Sequence, residues 1–197
     1  MEIIIHRRNS LDELKATQKN YGVEVDIRSS SKKLIVSHDP FMQDIFFDGW
    51  LSSFCHGTLI VNIKEEGLES YILELLREHR IENFFFLDQT FPYLVKHSRL
   101  LNRKCAVRFS EFESIETAIN AAQFASWVWV DYFTRFPLSF DYYKILKELG
   151  YKICIVSPEL HGHNPDTYVP ELRSNINANL FSIDAVCTKR PDLWRYD

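Results

Sequence analysis

Short apolar segments typical of β-strands alternate with helix-like segments along nearly the whole chain, and this alternation constrains the fold more than any other feature. A strand, a helix and a second strand in succession imply a parallel sheet, because the helix carries the chain back to the starting edge. We predict eight strands, at residues 4–6, 22–29 with an extension at 34–37, 58–64, 83–88, 105–110, 127–132, 151–157 and 185–188. Eight successive strand–helix units predict an α/β protein with a (β/α)8 TIM-barrel fold.

The segments between these strands carry helix signals. The clearest start is at Ser10 and Glu13, which have the spacing of a capping box. Gly150 is a typical helix end. We predict helices at residues 11–20, 68–80, 91–102, 114–125, 140–149 and 170–180, with a brief helical piece at 48–55.

The chain is short for such a fold. It has 197 residues, whereas these barrels typically have about 250 and rarely fewer than about 200. We therefore expect one compact barrel domain over residues 1–197, with a shortened second strand–helix region at residues 40–47. The shortening predicts a more open active-site mouth.

Charge and hydropathy exclude several classes of partner. The net charge is −4 and no block of lysines or arginines occurs, which argues against a nucleic-acid partner. No apolar run approaches the roughly 18 residues of a membrane span, so we expect no membrane insertion. The chain reaches its first strand by Ile3 without a leader-like segment, and its four cysteines are scattered. We therefore expect reduced thiols, a cytoplasmic protein and a small-molecule partner, and no pattern specifies an oligomeric state.

The second predicted strand carries acidic residues in a strand-like alternation. Glu24 and Asp26 alternate with Val23, Val25 and Ile27, so both carboxylates point to one face, with Cα atoms about 6–7 Å apart. Carboxylates this close repel each other unless a positive charge lies between them. A hard cation such as Mg²⁺ or Ca²⁺ suits that position. The alternative is a solvated strand face on which both acids are exposed.

Three motifs, H-R, E-x-D and H-D, follow one another within the first forty residues. They are His6-Arg7, Glu24-x-Asp26 and His38-Asp39. Two later segments, residues 60–64 and 184–192, are similar to an E-x-K strand and to a closing D-G-x-x-T-D-R-P segment. In this order, the motifs resemble the glycerophosphodiester phosphodiesterase family, one of the phosphatidylinositol-phospholipase-C-like barrels.

This resemblance implies a metal-dependent phosphodiesterase, either a hydrolase or a cyclising lyase, acting on a glycerol- or sugar-phosphodiester. By the resemblance, His6 and His38 are the acid–base pair. Glu24, Asp26 and Asn62 correspond to the ligands of a divalent cation, Mg²⁺ or Ca²⁺. Arg7 and Lys64 would hold the phosphate oxygens.

The chain departs from the family pattern in several places. Asn62 stands where the family has its third metal carboxylate, and Arg8 stands where it has glycine. The family's P-E-N-T segment is not reproduced by residues 9–13. An asparagine oxygen can bind Mg²⁺ or Ca²⁺, but replacing a carboxylate by an amide removes one negative charge from the metal site. Either another acid replaces the missing carboxylate, with Asp88 and Asp131 as candidates, or the barrel binds a phosphorylated ligand without efficient catalysis.

Polar residues also end the later predicted strands. In these barrels the active site lies at the carboxyl ends of the strands. We therefore add four residues to the substrate- and phosphate-binding set: Asp88, Arg108, Asp131 and Glu159. The alternative is that some of them form buried salt bridges, such as Arg108 with Asp88 or with Asp131.

Three further features have weaker interpretations. Asp39 either orients a histidine or caps the loop before Pro40. The spacing of His161 and His163 is compatible with metal binding, but we expect a solvated loop. An unrelated barrel enzyme using a Schiff base would need Lys64 or Lys189 as its nucleophile.

Overall fold

The computed structural model describes residues 1–42 and 45–195 of the chain. Its strands are β1 (Glu2–Ile5), β2 (Gly22–Ser30), β3 (Lys33–Val36), β4 (Leu59–Ile63), β5 (Phe84–Leu87), β6 (Ala106–Phe109), β7 (Trp127–Val130), β8 (Lys152–Val156) and β9 (Ala185–Thr188). Its α-helices are α1 (Leu11–Ala16), α2 (Phe47–Leu51), α3 (Glu69–Glu78), α4 (Phe91–Lys96), α5 (Ser98–Leu101), α6 (Ile115–Ala121), α7 (Phe140–Glu148) and α8 (Pro165–Ala178). Two short 3₁₀ helices span Pro158–His161 and Pro191–Leu193.

The order of these elements confirms the predicted (β/α)8 barrel fold, because eight parallel strands alternate with helices. The predicted extension of the second strand is a separate strand, β3, which pairs antiparallel with β2. The chain divides into two compact units. We call residues 5–105 the N-terminal unit, and residues 1–4 with 106–197 the C-terminal unit.

Several helices differ from their predicted bounds for local reasons. Helix α8 begins at Pro165, five residues before the predicted start, because the Asn164 side chain caps it and proline suits the first helical position. Helix α1 ends early, at Ala16, since Thr17 adopts an extended conformation. The predicted helix at residues 91–102 is two pieces, separated at His97.

In the N-terminal unit, β4 pairs in parallel with both β2 and β5. The register places Glu24 opposite Ile60 and Asp26 opposite Asn62. Every residue of β4 is buried. The strand pairing therefore brings the E-x-D motif beside Asn62 within a buried sheet.

In the C-terminal unit, β6, β7, β8 and β9 form a parallel succession. Trp129 on β7 lies opposite Arg108 on β6. The buried Trp194 donates its indole N–H to the Ser157 hydroxyl at 2.8 Å. This bond ties the C-terminal 3₁₀ turn to the end of β8.

The predicted capping box of α1 is present. Ser10 accepts the Glu13 backbone N–H at 3.2 Å, and the Glu13 carboxylate accepts the Ser10 backbone N–H at 3.2 Å. We expect Ser10→Ala to lower the free energy of unfolding by about 1 kcal/mol, because an N-terminal donor of the helix loses its partner. Urea denaturation measures this change. Ser70→Ala, an exposed change inside α3, is the matched control and should leave stability within about 0.5 kcal/mol of wild type. Equal losses in both variants would contradict the capping role.

Candidate active site

Glu24, on β2 of the N-terminal unit, is almost fully buried, with 1% of its surface exposed. Its Oε2 accepts the Arg7 backbone N–H at 2.7 Å, and its Oε1 accepts the Asn62 side-chain N–H at 2.9 Å. Burial raises the pKa of Glu24 to about 7, with the Asp26 charge adding to the increase and the Asn62 hydrogen bond opposing it. The carboxyl therefore lies close to its protonation midpoint at neutral pH.

Asp26 is equally buried, and two side chains contact its Oδ2 atom. Asn9 donates its side-chain N–H to Asp26 Oδ2 at 2.8 Å and accepts the Asp26 backbone N–H at 3.1 Å. Arg7 Nε lies 3.4 Å from Oδ2. This clamp fixes the Asp26 carboxylate in one orientation.

Lys64 lies just beyond β4 and pairs with two acids. Its Nζ lies 3.2 Å from Asp26 Oδ1 and 3.5 Å from Asp88 Oδ2. The side chain is 17% exposed, so these ion pairs are partly shielded from water. Lys64 thus compensates the acidic cluster electrostatically, which favours a charge-stabilising role over a nucleophilic one.

His6 and Arg7 approach the same carboxylates from the end of β1. His6 Nε2 lies 3.8 Å from Glu24 Oε2, and the imidazole is 17% exposed. Arg7 has a left-handed backbone with φ of 53°, which is uncommon for a residue other than glycine. With this conformation, the Arg7 backbone N–H donates to Glu24.

His38 belongs to the same unit and follows β3. Its Nδ1 lies 2.8 Å from Asp39 Oδ1, and the hydrogen bond lowers the pKa of Asp39. Arg28 Nε donates to the His38 carbonyl at 3.0 Å and so anchors the backbone. This contact supports the interpretation that Asp39 orients a histidine.

The C-terminal unit contains a buried carboxylate of its own, Asp131. Arg108 Nη1 lies 2.5 Å from its Oδ2, and this is one of the two buried pairs considered from the sequence. His161 Nε2 lies 3.0 Å from Asp131 Oδ1. His163 contacts the Phe133 carbonyl at 2.7 Å. Both rings are partly buried and hydrogen-bonded, while Gly162 and Asn164 of the same loop are exposed, so the loop expected to be solvated is in contact with solvent only in part.

Glu159 is engaged at both oxygens of its carboxylate. Oε2 accepts the Ser157 hydroxyl. Oε1 accepts the Thr188 hydroxyl at 2.6 Å and the Lys189 backbone N–H at 2.9 Å. These contacts join the ends of β8 and β9 and give Glu159 a clear structural role.

Comparison with known proteins connects this arrangement to one fold family. No family model matches the chain, and no curated protein matches its sequence. Solved structures do match. Two glycerophosphodiester phosphodiesterase structures from Agrobacterium tumefaciens have TM-scores of 0.70 at 15% and 14% identity, covering 98% of this chain and 94% and 98% of theirs. A third, from Parabacteroides distasonis, has a TM-score of 0.65 at 12% identity and covers 98% of this chain and 84% of its own.

The fold is that of the glycerophosphodiester phosphodiesterases. The resemblance recognised in the H-R, E-x-D and H-D motifs is therefore confirmed at the level of the fold. At 12–15% identity the roles of individual residues do not follow from the similarity. They are argued from the contacts of this chain.

The oxygen atoms available in the N-terminal unit indicate whether this site suits a divalent cation. Among residues 1–42 and 45–195, no group of three or more His, Cys, Asp or Glu side chains could hold a metal ion. Asp26 Oδ1 and Asn62 Oδ1 are, however, buried oxygens without a hydrogen-bond partner, although Lys64 Nζ forms its ion pair with the former. Buried acceptors of this kind are uncommon. Two carboxylates and one amide oxygen thus fit a hard cation.

Two residues of these clusters were not predicted as functional from the sequence. Asn9 holds Asp26 by two hydrogen bonds, yet it was considered only as part of a segment that departs from the family pattern. His161 contacts Asp131 across 30 positions of the chain. No local sequence signal marks Asn9, whereas the H-x-H spacing at His161 did draw attention to that loop.

The raised pKa of Glu24 predicts a pH-dependent stability. Between the ordinary value of 4.5 and about 7, the folded protein binds more protons at this site than the unfolded chain does. The stabilisation is complete below about pH 4.5 and is lost as the pH rises through 7, by up to about 3 kcal/mol. We expect urea denaturation in EDTA to show this loss in wild type but not in Glu24→Gln. The same pH slope in both proteins would contradict the raised pKa.

Proposed function

We propose that this protein is a metal-dependent phosphodiesterase, a hydrolase or a cyclising lyase, that cleaves a glycerol- or sugar-phosphodiester. The observation that carries the proposal is the pair of buried carboxylates, Glu24 and Asp26, beside the basic groups His6 and Lys64. A cluster of titratable residues that combines desolvation with specific charge partners is characteristic of an active site. The fold shared with glycerophosphodiester phosphodiesterases supports the choice of substrate class.

The cation that we propose is Mg²⁺ or Ca²⁺, held by Glu24, Asp26 and Asn62. The buried Oδ1 atoms of Asp26 and Asn62 support this assignment, because both are oxygens of the type that these cations prefer. When bound, the cation would supply positive charge opposite a phosphate oxygen of the substrate.

Histidine contacts support a division of the acid–base roles. The Asp39 carboxylate accepts from His38 Nδ1, which leaves Nε2 of the neutral ring as a proton acceptor. His38 thus suits the base that takes the proton from the attacking hydroxyl. His6 faces the buried Glu24 carboxylate at 3.8 Å, which balances a protonated imidazole. We assign His6 as the acid that protonates the leaving oxygen.

Two cationic side chains, Arg7 and Lys64, would hold the phosphate. Each lies within 3.4 Å of Asp26 and is partly exposed, at 40% and 17% respectively. Asp26 thereby fixes both cations before a substrate arrives, which is the preorganisation that stabilises charge in phosphoryl transfer. The further assignments of Asp88, Arg108, Asp131 and Glu159 to substrate binding stay predictions.

The remaining parts of the proposal concern setting and partners. A net charge of −4 supports a small phosphodiester, not a nucleic acid, as the partner. In the part of the chain that the structure describes, no helix combines the length and the apolar character needed to cross a membrane. We propose a cytoplasmic location without membrane insertion.

A second candidate function is a barrel that binds a phosphorylated ligand but turns it over slowly or not at all. The observation that favours it is Asn62, whose amide donates to Glu24 where the family pattern has a third carboxylate. Lys64 already balances part of the charge on Asp26. Both features reduce the negative charge that a bound cation would neutralise.

Asn62→Glu tests the cation site. A new carboxylate beside Glu24 adds repulsion without metal and attraction with it. We expect a lower melting temperature in EDTA, a larger rise on adding Mg²⁺ or Ca²⁺, and calorimetric affinity at least tenfold above wild type. Asn83→Glu, in the same unit at a partly exposed position that contacts Thr58, is the control and should not change metal affinity. If Asn62→Glu leaves affinity unchanged, Asn62 is not a ligand.

Turnover of glycerophosphodiesters tests the activity itself. We expect wild type with Mg²⁺ or Ca²⁺ to cleave glycerophosphocholine. His6→Ala and His38→Ala should each reduce kcat at least about a hundredfold, because general acid–base catalysis contributes about 10²–10⁴-fold to the rate. His79→Ala is the matched control, since His79 pairs with the exposed Asp48 at 2.7 Å in the same way that His38 pairs with Asp39.

Two results would overturn this assignment. Binding of the phosphodiester without turnover would favour the non-catalytic barrel. Activity that survives His6→Ala and His38→Ala would contradict the acid–base pair even if the enzyme class is correct.

A further inference from the structure

The C-terminal unit contains a polar cluster built on Asp131, which includes His161, a residue that has no part in the proposed phosphodiesterase. The carboxylate is 1% exposed. Its Oδ1 accepts the Trp129 indole N–H at 3.1 Å and contacts His161 Nε2 at 3.0 Å. Its Oδ2 contacts Arg108 Nη1. A buried acid with this many donors is fixed in position.

The Asp131 contact determines which nitrogen of His161 can bind a ligand. An ionised carboxylate only accepts hydrogen bonds, so Nε2 of His161 carries the proton directed at Asp131. In the neutral ring, Nδ1 is then a hydrogen-bond acceptor. The imidazole is 20% exposed, and its hydrogen bond among the described residues is made through Nε2. A ligand that donates an O–H group would satisfy this nitrogen.

Aromatic rings adjoin the same histidine. The Phe133 ring lies against His161 with centroids 4.2 Å apart, and the Phe112 ring follows at 5.7 Å from Phe133. Phe112 is 74% exposed, so its ring is open to solvent. The cluster therefore places an apolar ring surface beside a fixed hydrogen-bond acceptor.

We propose that His161, Phe133 and Phe112 form a binding site for a carbohydrate ring. A pyranose has hydroxyl groups that can donate to His161 Nδ1 and an apolar C–H face that can pack on phenylalanine. An inorganic anion has no apolar face, and an apolar ligand would leave the acceptor unpaired. Asp131 and Arg108 are positioning residues, since they hold the imidazole and its tautomer. The three residues that would touch the carbohydrate are not among the proposed phosphodiesterase residues, although Asp131 and Arg108 are also predicted to bind its substrate.

Methyl α-glucopyranoside is the probe, followed by NMR through the ring signals of His161 and Phe133. In wild type, we expect the NMR signals of these two rings to shift with probe concentration and to saturate at roughly 10 mM. Such a concentration corresponds to weak binding of a single sugar ring. Sorbitol, which has hydroxyl groups but no ring face, should bind more weakly.

His161→Gln is the decisive variant. The glutamine amide can still donate to Asp131 but offers no acceptor in place of Nδ1. We expect roughly three- to tenfold weaker binding of the probe, as for loss of one hydrogen bond, with an unchanged melting temperature. His163→Gln is the matched control on the same loop and should retain binding. Lys64→Met alters only the proposed phosphodiesterase residues and should also retain it.

Failure of this proposal is distinguishable from failure of the phosphodiesterase. No shift of the His161 and Phe133 signals in wild type would overturn the carbohydrate site, whatever the enzyme does. Equal binding by wild type and His161→Gln would exclude Nδ1 as the acceptor. If His161→Gln loses structure, Phe133→Leu replaces it, and undiminished binding by that variant would remove the aromatic contact from the site.

Discussion

Burial of two carboxylates on one face of β2 is the interaction on which the N-terminal unit's site depends. Glu24 and Asp26 are each 1% exposed, and charges buried this deeply need partners. The partners come from the segment after β1 and from β4 and the residues that follow it. The backbone of Arg7 and the amide of Asn62 bind Glu24, while Asn9 and Lys64 bind Asp26. Satisfying the two acids thus brings the chemically useful groups together.

The substitution of an amide for a carboxylate at position 62 gives the site a particular electrostatic character. Burial raises the pKa of Glu24 to about 7, with the Asp26 charge adding to the increase, and the hydrogen bond from Asn62 opposes it. Lys64 balances part of the charge on Asp26. A site compensated in this way should bind a cation less strongly than one with three carboxylates. The balance between enzyme and binding protein therefore depends on how much charge Asn62 removes.

A buried carboxylate surrounded by hydrogen-bond donors also organises the C-terminal unit's cluster, but the groups beside it differ. Asp131 is also 1% exposed and is also satisfied by several donors, among them Arg108 and the Trp129 indole. Here the result is a fixed imidazole, His161, with phenylalanine rings beside it. The N-terminal cluster surrounds its acids with cations suited to phosphate, whereas this cluster presents one acceptor and an apolar surface. Ligands of different chemistry suit the two clusters.

The sequence by itself determined the fold class and the E-x-D strand, because alternation of strand and helix and period-2 patterning are local properties that short windows reveal. It also indicated Asn62 and Lys64 through a family resemblance. Only the tertiary structure decided that Asn9 clamps Asp26, that Arg108 pairs with Asp131 and that His161 joins that pair. These contacts join residues 17 to 30 positions apart. Their geometry depends on strand register and loop path, which no local pattern specifies.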